Sequence, residues 1–193
     1  MTPHRLTLVP PEIRLRESYL QLRAEIDACA ALLIRRHRSF ITCTAGCSSC
    51  CTEFSIVALE AALIAEQLNH SPPEPPATAA PGKTKPVCGL LVDHHCSIYP
   101  HRPIICRTQG LPIAYVDEGL ARIEVSACPL NFAPEHPFEH DDLFFLDPYN
   151  GRLALLNQRY CLAHKLDPSA RLPVRCKLAW PGLTLESDQS KLS

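Results

Sequence analysis

Four cysteines lie within nine positions in the stretch "CTAGCSSCC", at Cys43, Cys47, Cys50 and Cys51. Thiolate sulfur is the ligand that zinc and iron-sulfur clusters share, and two or three intervening residues let a chain turn around a compact centre. The adjacent side chains of Cys50 and Cys51 point in divergent directions. They therefore either serve two different metals or lie in an irregular turn around one cluster, and a disulfide between them is the simpler alternative.

The redox environment determines whether the chain's eleven cysteines are expected to form disulfides or to bind metal. The first residues, "MTPHRLTLVPPEIRLRE", become charged at once and lack the long apolar segment of a secretory signal, so we expect a cytoplasmic protein. Reducing thiols keep most cytosolic cysteines from pairing, and an odd count excludes complete internal pairing. Metal binding is therefore favoured over a disulfide framework.

Four more cysteines occupy positions suited to a metal site in the second half of the chain. Cys88 and Cys96 fall on the two arms of a predicted hairpin, where cross-strand neighbours lie about 5 Å apart. Cys106 follows "RPII" and Cys128 precedes a proline. Imidazoles also bind zinc and iron, but polar residues of a hairpin turn are the simpler interpretation of nearby His94 and His95, and the same holds for His101.

Three segments taken together resemble a known family. The stretches "CTAGCSSCC" and "CGLLVDHHCSIYPHRPIICR" and the Cys128-Pro129 pair look like the bacterial zinc- or iron-chelating CxxCxxCC proteins, often called YkgJ-type cysteine-cluster proteins. The resemblance covers roughly residues 43–129, and three residues, rather than the family's two, separate Cys43 from Cys47. It implies eight metal ligands: Cys43, Cys47, Cys50, Cys51, Cys88, Cys96, Cys106 and Cys128.

Two arginines match the "RP..CR" motif of the family, Arg102 and Arg107. Several thiolates around a divalent metal or a cluster leave net negative charge, and a guanidinium can neutralise that charge or donate hydrogen bonds to sulfur. We therefore predict that both arginines contact the bound cofactor.

Composition limits the remaining partners. The formal net charge is -1, so no global field favours nucleic acid, and no nucleic-acid partner is expected. An apolar run of about 18 residues, the minimum for a membrane span, is absent, so no membrane association is expected. The expected partner is a metal or cluster, and a protein partner stays open.

An amphipathic helix is predicted ahead of the first cysteines, from Pro11 to about Phe40. Its apolar stripe recurs at steps of three and four residues and ends in a basic run that suits a helix C-terminus. A second helix is predicted over 59–69, followed by a proline-rich loop at 70–86 that cannot form regular structure. The stripe consists of Tyr19, Leu22, Ile26, Cys29 and Leu33.

The predicted fold class is α+β, a small single domain with an N-terminal amphipathic helix, short helices and hairpins around a cysteine-rich metal centre. Val87 to Val92 should form a strand before a turn at "DHH", Pro103 should begin a single helical turn, and "LPIAYV" and "ARIEVSAC" should form a second hairpin. We divide the chain into an N-terminal helical segment (1–42), a cysteine-cluster domain (43–130), a C-terminal extension with a helix over 152–166 (131–182) and a frayed tail (183–193).

The predicted function is metal binding through the eight cysteines, with an iron-sulfur cluster favoured over zinc because paired CxxC knuckles typical of zinc ribbons are lacking. One alternative is an enzyme or accessory subunit of protein methylation, since flagellin lysine methylases are similar in their cysteine motif. Another is a zinc-stabilised interaction module without catalysis. The sequence does not decide whether the protein is an enzyme, and its physiological role stays open.

Overall fold

A computed structural model describes residues 5–6, 8–70, 87–117, 119–174 and 185–186. Residues 71–86 of the predicted proline-rich loop, Cys176 and most of the predicted tail lie outside the described residues. The described helices are α1 (Ile13–Arg36), α2 (Ala58–His70), α3 (Ile104–Arg107) and α4 (Asp147–His164). The strands are β1 (Arg5–Leu6), β2 (Ser55–Ile56), β3 (Leu91–Val92), β4 (His95–Cys96), β5 (Ile113–Asp117), β6 (Arg122–Ser126), β7 (Phe144–Phe145), β8 (Leu172–Pro173) and β9 (Leu185–Glu186).

Helix α1 follows from the apolar stripe in its sequence. Tyr19, Leu22 and Ile26 are buried on one face, with Leu15, Ala30 and Leu33 extending it in both directions. The helix ends at Arg36, where the His37 N–H donates to the Leu33 carbonyl at 2.9 Å. Cys29 lies at the edge of the stripe and packs against the core only in part.

Helices α1, α2 and α4 enclose the main hydrophobic core. α4 contacts both of the other helices, and Leu59 of α2 and Tyr160 of α4 are fully buried between them. The Tyr160 hydroxyl donates to the Val9 carbonyl at 2.7 Å, which fastens the segment before α1 to α4. Helix α4 begins at Asp147 rather than at the predicted 152, because Pro148 stands in its first turn, where a missing N–H costs nothing.

The strands are short and form small sheets. β3 and β4 pair antiparallel around Asp93 and His94, whose φ angles of 46° and 63° give the type I′ turn that favours a tight hairpin. The predicted β3 starts too early: Val87 forms only an isolated bridge with Thr52. β5 lies between antiparallel β6 and parallel β7, β2 pairs with β8, and β1 pairs with β9 inside the predicted tail.

The predicted fold class is confirmed, since helices and small sheets combine in one α+β domain. None of the helices within the described ranges is long and apolar enough to cross a membrane. The cysteine-bearing segments lie beside the helical core: a loop between α1 and β2, the β3–β4 hairpin, helix α3, and a turn after β6.

Candidate metal centre

The "CTAGCSSCC" loop is built from two successive tight turns. The Cys47 N–H donates to the Thr44 carbonyl and the Cys51 N–H to the Ser48 carbonyl, both at 3.0 Å. Gly46 takes a φ of +89° in the first turn, a conformation that a side chain would strain. These turns fold the loop back on itself, so its four cysteines lie close together.

One group of cysteines gathers around the hairpin, and we call Cys51, Cys88, Cys96 and Cys106 the inner set. The Cys88 N–H donates to the Cys51 carbonyl at 3.1 Å, and the Cys88 carbonyl accepts the Leu91 N–H at 3.1 Å. Leu91 pairs with Cys96 across the hairpin. Cys106 lies on α3, and its thiol interacts electrostatically with those of Cys88, Cys96 and Cys51.

The other group lies on the side of the loop that faces the turn after β6, and we call Cys43, Cys47, Cys50 and Cys128 the outer set. The Cys50 thiol interacts electrostatically with those of the three others. The Asn131 amide donates to the Cys43 sulfur at 3.4 Å and to the Gly110 carbonyl at 2.8 Å. The Asn131 backbone N–H in turn donates to the Cys128 carbonyl at 2.9 Å, so one buried residue joins both ends of this set.

Burial raises the pKa of three inner thiols, those of Cys51, Cys88 and Cys106. It raises the pKa of Cys51 to about 11, and the neighbouring thiolates of Cys50, Cys88 and Cys96 add to the effect. It also raises the pKa of Cys106, where repulsion from Cys88 and Cys96 outweighs attraction from Arg102. Several soft donors thus lie close enough to repel one another once ionised, an arrangement that a bound cation would relieve.

The donor set suits zinc or iron, but its side chains are not preassembled. Within the part of the chain that the structure describes, no group of three or more His, Cys, Asp or Glu side chains is arranged to hold a metal ion. The described cysteines are all free thiols.

Two further described cysteines lie elsewhere. Cys29 interacts with the Tyr149 hydroxyl near α4. Cys161 is fully buried on α4, 3.7 Å from the Asn157 amide oxygen. Neither interacts with a cysteine of the two sets in the described contacts, so both suit use as controls.

The two predicted cofactor-binding arginines occupy different surroundings. Arg102 stacks 3.7 Å from the centre of the Tyr99 ring, donates to the Cys106 carbonyl at 3.4 Å and attracts the Cys106 thiolate. Arg107 donates to both carboxylate oxygens of Asp27, at 2.8 and 2.7 Å, and to two backbone carbonyls. Arg102 therefore lies beside the inner set, whereas the described bonds of Arg107 fasten α3 to α1.

The histidines near the hairpin have hydrogen-bond partners of their own. His94 Nδ1 lies 3.1 Å from the Ser48 hydroxyl, which links the hairpin turn to the cysteine loop. His95 Nδ1 lies 2.7 Å from the Asp93 carbonyl. Burial lowers the pKa of His101, and the positive charges of Arg23 and Arg107 lower it further.

Two supporting residues carry no signal in the sequence. Glu60 on α2 is buried, and its Oε1 accepts the Tyr19 hydroxyl at 3.1 Å and the Ile104 N–H at 2.8 Å. It therefore holds the first residue of the helix that carries Cys106. Asn131 does the equivalent for Cys43, and neither role can be read from local spacing, because each depends on a contact across the fold.

Two neighbouring groups of free thiols in a small α+β domain form a donor set that suits zinc and iron. Residues 42–128 match the CxxCxxCC family model, described as "Putative zinc- or iron-chelating domain". No curated protein and no solved structure matches the chain. The match indicates a zinc- or iron-chelating function and covers both the inner and the outer set.

Proposed function

We propose that the protein binds an iron-sulfur cluster or zinc through its eight clustered cysteines, and that iron-sulfur is its native cofactor. The observation that carries the proposal is the gathering of thiols from four separate chain segments, beside the match to a chelating family. Cysteine is the usual ligand of iron-sulfur iron and also closes structural zinc sites.

The preference for iron-sulfur is supported by the form of the loop. Structural zinc sites commonly use paired CxxC knuckles, whereas here an irregular CxxxCxxCC loop is joined to distant ligands. When bound, an iron-sulfur cluster supplies one-electron redox chemistry. The chain's own groups would hold it by thiolate ligation, with the Arg102 guanidinium offsetting negative charge at Cys106.

The test is metal and acid-labile sulfide analysis of protein purified without oxygen, together with its visible spectrum. We expect brown protein with iron and sulfide in comparable amounts. Cys51→Ser and Cys106→Ser should lose bound metal, and the matched Cys29→Ser and Cys161→Ser variants should keep it. Colourless protein with stoichiometric zinc that takes up no cluster on reconstitution would refute the iron-sulfur assignment and favour a zinc-stabilised module. Protein that binds neither metal would refute the proposal as a whole.

A further inference from the structure

The inner and outer sets are separated at a single peptide bond. Cys50 belongs to one set and Cys51 to the other, although the two adjacent thiols are also hydrogen-bonded to each other. The hydrogen bonds follow the same division. The Cys51 carbonyl accepts a hydrogen bond from the Cys88 N–H, whereas Asn131 connects Cys43 to the Cys128 turn by hydrogen bonds to both. Each set contains four sulfurs, which is the number that closes one tetrahedral metal site or holds one cluster.

The surroundings of the inner set are those of a core. Cys88 and Cys96 pack against the hydrophobic core, next to buried Leu90 and Ile98. Cys106 follows buried Ile104 on α3, whose backbone is held by the buried carboxyl of Glu60. A metal bound to these four sulfurs would connect the cysteine loop, the hairpin and α3. It would therefore contribute directly to the free energy of folding.

The surroundings of the outer set are open. Cys43, Cys47 and Cys50 are exposed, and the loop that carries them is held by turns rather than by regular structure. A surface cleft of ≈ 240 Å³ runs alongside, and Cys50 and Cys128 form part of its wall. Gly110 also lines the cleft, and a Cβ at that position would stand 3.0 Å from the Cys43 sulfur.

The lining of the cleft defines what can enter it. Its polar groups are the uncharged side chains of Ser49, Gln109 and Ser126, beside apolar Leu111 and Leu130. A volume of this size admits a small molecule and excludes a folded segment. Small chelators and low-molecular-weight thiols therefore have a path to the sulfurs of Cys50 and Cys128.

We propose that the eight cysteines form two centres with different tasks: the inner set holds a permanent structural metal centre, and the outer set holds an exchangeable one that small thiol or chelating molecules reach through the cleft. This rests on the proposed metal-binding function. It adds that the metal of the inner set exchanges slowly because the core surrounds it, whereas the metal of the outer set exchanges readily with small molecules in solution.

The experiment follows metal release from the purified, metal-loaded protein to a chromogenic small-molecule chelator. We expect two phases of equal amplitude with rates at least about tenfold apart, because release from the inner set requires local opening of the core. Cys47→Ser combined with Cys128→Ser should remove the fast phase, retain the slow half of the metal and retain cooperative unfolding. Cys29→Ser combined with Cys161→Ser is the matched control and should show both phases.

Other outcomes contradict the division. A single phase that releases all the metal, or complete loss of metal from a folded Cys47→Ser/Cys128→Ser protein, would show one shared centre. Cys88→Ser combined with Cys106→Ser should abolish cooperative unfolding. If this double variant still folds, it should lose only the slow phase of metal release. Loss of the fast phase alone would overturn the assignment. Wild-type protein that holds no metal would instead refute the proposed function itself.

Discussion

Substitution of Glu60 tests how the core supports α3, the helix that carries Cys106. One of its oxygens accepts both the Tyr19 hydroxyl and the Ile104 N–H, and both donors are buried. Glu60→Leu would leave two buried donors unpaired at about 1–3 kcal/mol each, a total of about 2–6 kcal/mol. Glu60→Gln keeps a carbonyl oxygen in place and should cost no more than about 1 kcal/mol. Urea denaturation followed by circular dichroism measures both values.

The same carboxyl should make stability depend on pH. Burial raises the Glu60 pKa, against the lowering effects of the Ile104 N–H and the Tyr19 hydroxyl. The folded state therefore retains a proton that the unfolded state has lost, so the stability present below the ordinary glutamate pKa of about 4.3 is lost as pH rises through the folded pKa. Each pH unit in that window lowers the free energy of unfolding by about 1.4 kcal/mol.

Glu60→Gln should remove this slope, because an amide does not titrate in that range. Subtracting the Glu60→Gln curve from the wild-type curve cancels the contributions of other groups and of acid-induced metal loss. A difference that stays flat from about pH 4 to about pH 8 would refute the account of Glu60 as a buried, proton-retaining group. Equal stability of the Leu and Gln variants would refute its role as acceptor.

Three further predictions concern the rest of the fold. Arg107→Lys should lose the bonds that Nε and Nη2 donate to the Arg102 and Pro100 carbonyls and lower stability by about 1–3 kcal/mol in chemical denaturation, whereas an unchanged midpoint would mean that α3 is held without them. Asn157→Leu should cost about 2–4 kcal/mol, because the Leu59 N–H and the Pro168 carbonyl lose their partner; a melting temperature equal to wild type would contradict this. Stripping the metal with a chelator should lower the melting temperature, since a ligand at 100 times its Kd stabilises by about 2.7 kcal/mol, and no change would argue against a structural centre.

The parts of the fold that could be predicted from the sequence are those with a local cause. The stripe of α1 follows from helical periodicity, and the hairpin at "DHH" from its turn position. The early start of α4 was missed although Pro148 signals it, because the apolar residues that follow begin only at Leu153. Proline at a first helical turn is a usable signal that hydrophobic periodicity does not contain.

The eight-cysteine ligand set stays a prediction from motif order, and the sequence carries no signal for the contacts that support it. Nothing in the spacing of Cys50 and Cys51 tells which sulfur faces the hairpin, because that depends on the Cys51–Cys88 backbone bond. The roles of Glu60 and Asn131 arise from contacts across the fold, such as Glu60 with Ile104 and Asn131 with Cys43, which are 44 and 88 positions apart. Arg102 and Arg107 look equivalent in the motif. In the described contacts, however, Arg102 donates to the Cys106 carbonyl, whereas Arg107 donates to the Asp27 carboxylate.

The distribution of the cysteines along the chain also sets an order of events during synthesis. A ribosome makes the loop with Cys43 and Cys51 long before it makes Cys106 and Cys128, so neither set is complete when its first thiols emerge. During that interval the nascent thiols are open to oxidation and to capture of the wrong metal. We expect the inner set to be loaded only after residue 106 has left the ribosome and the outer set only after residue 128, with α4 closing the core afterwards.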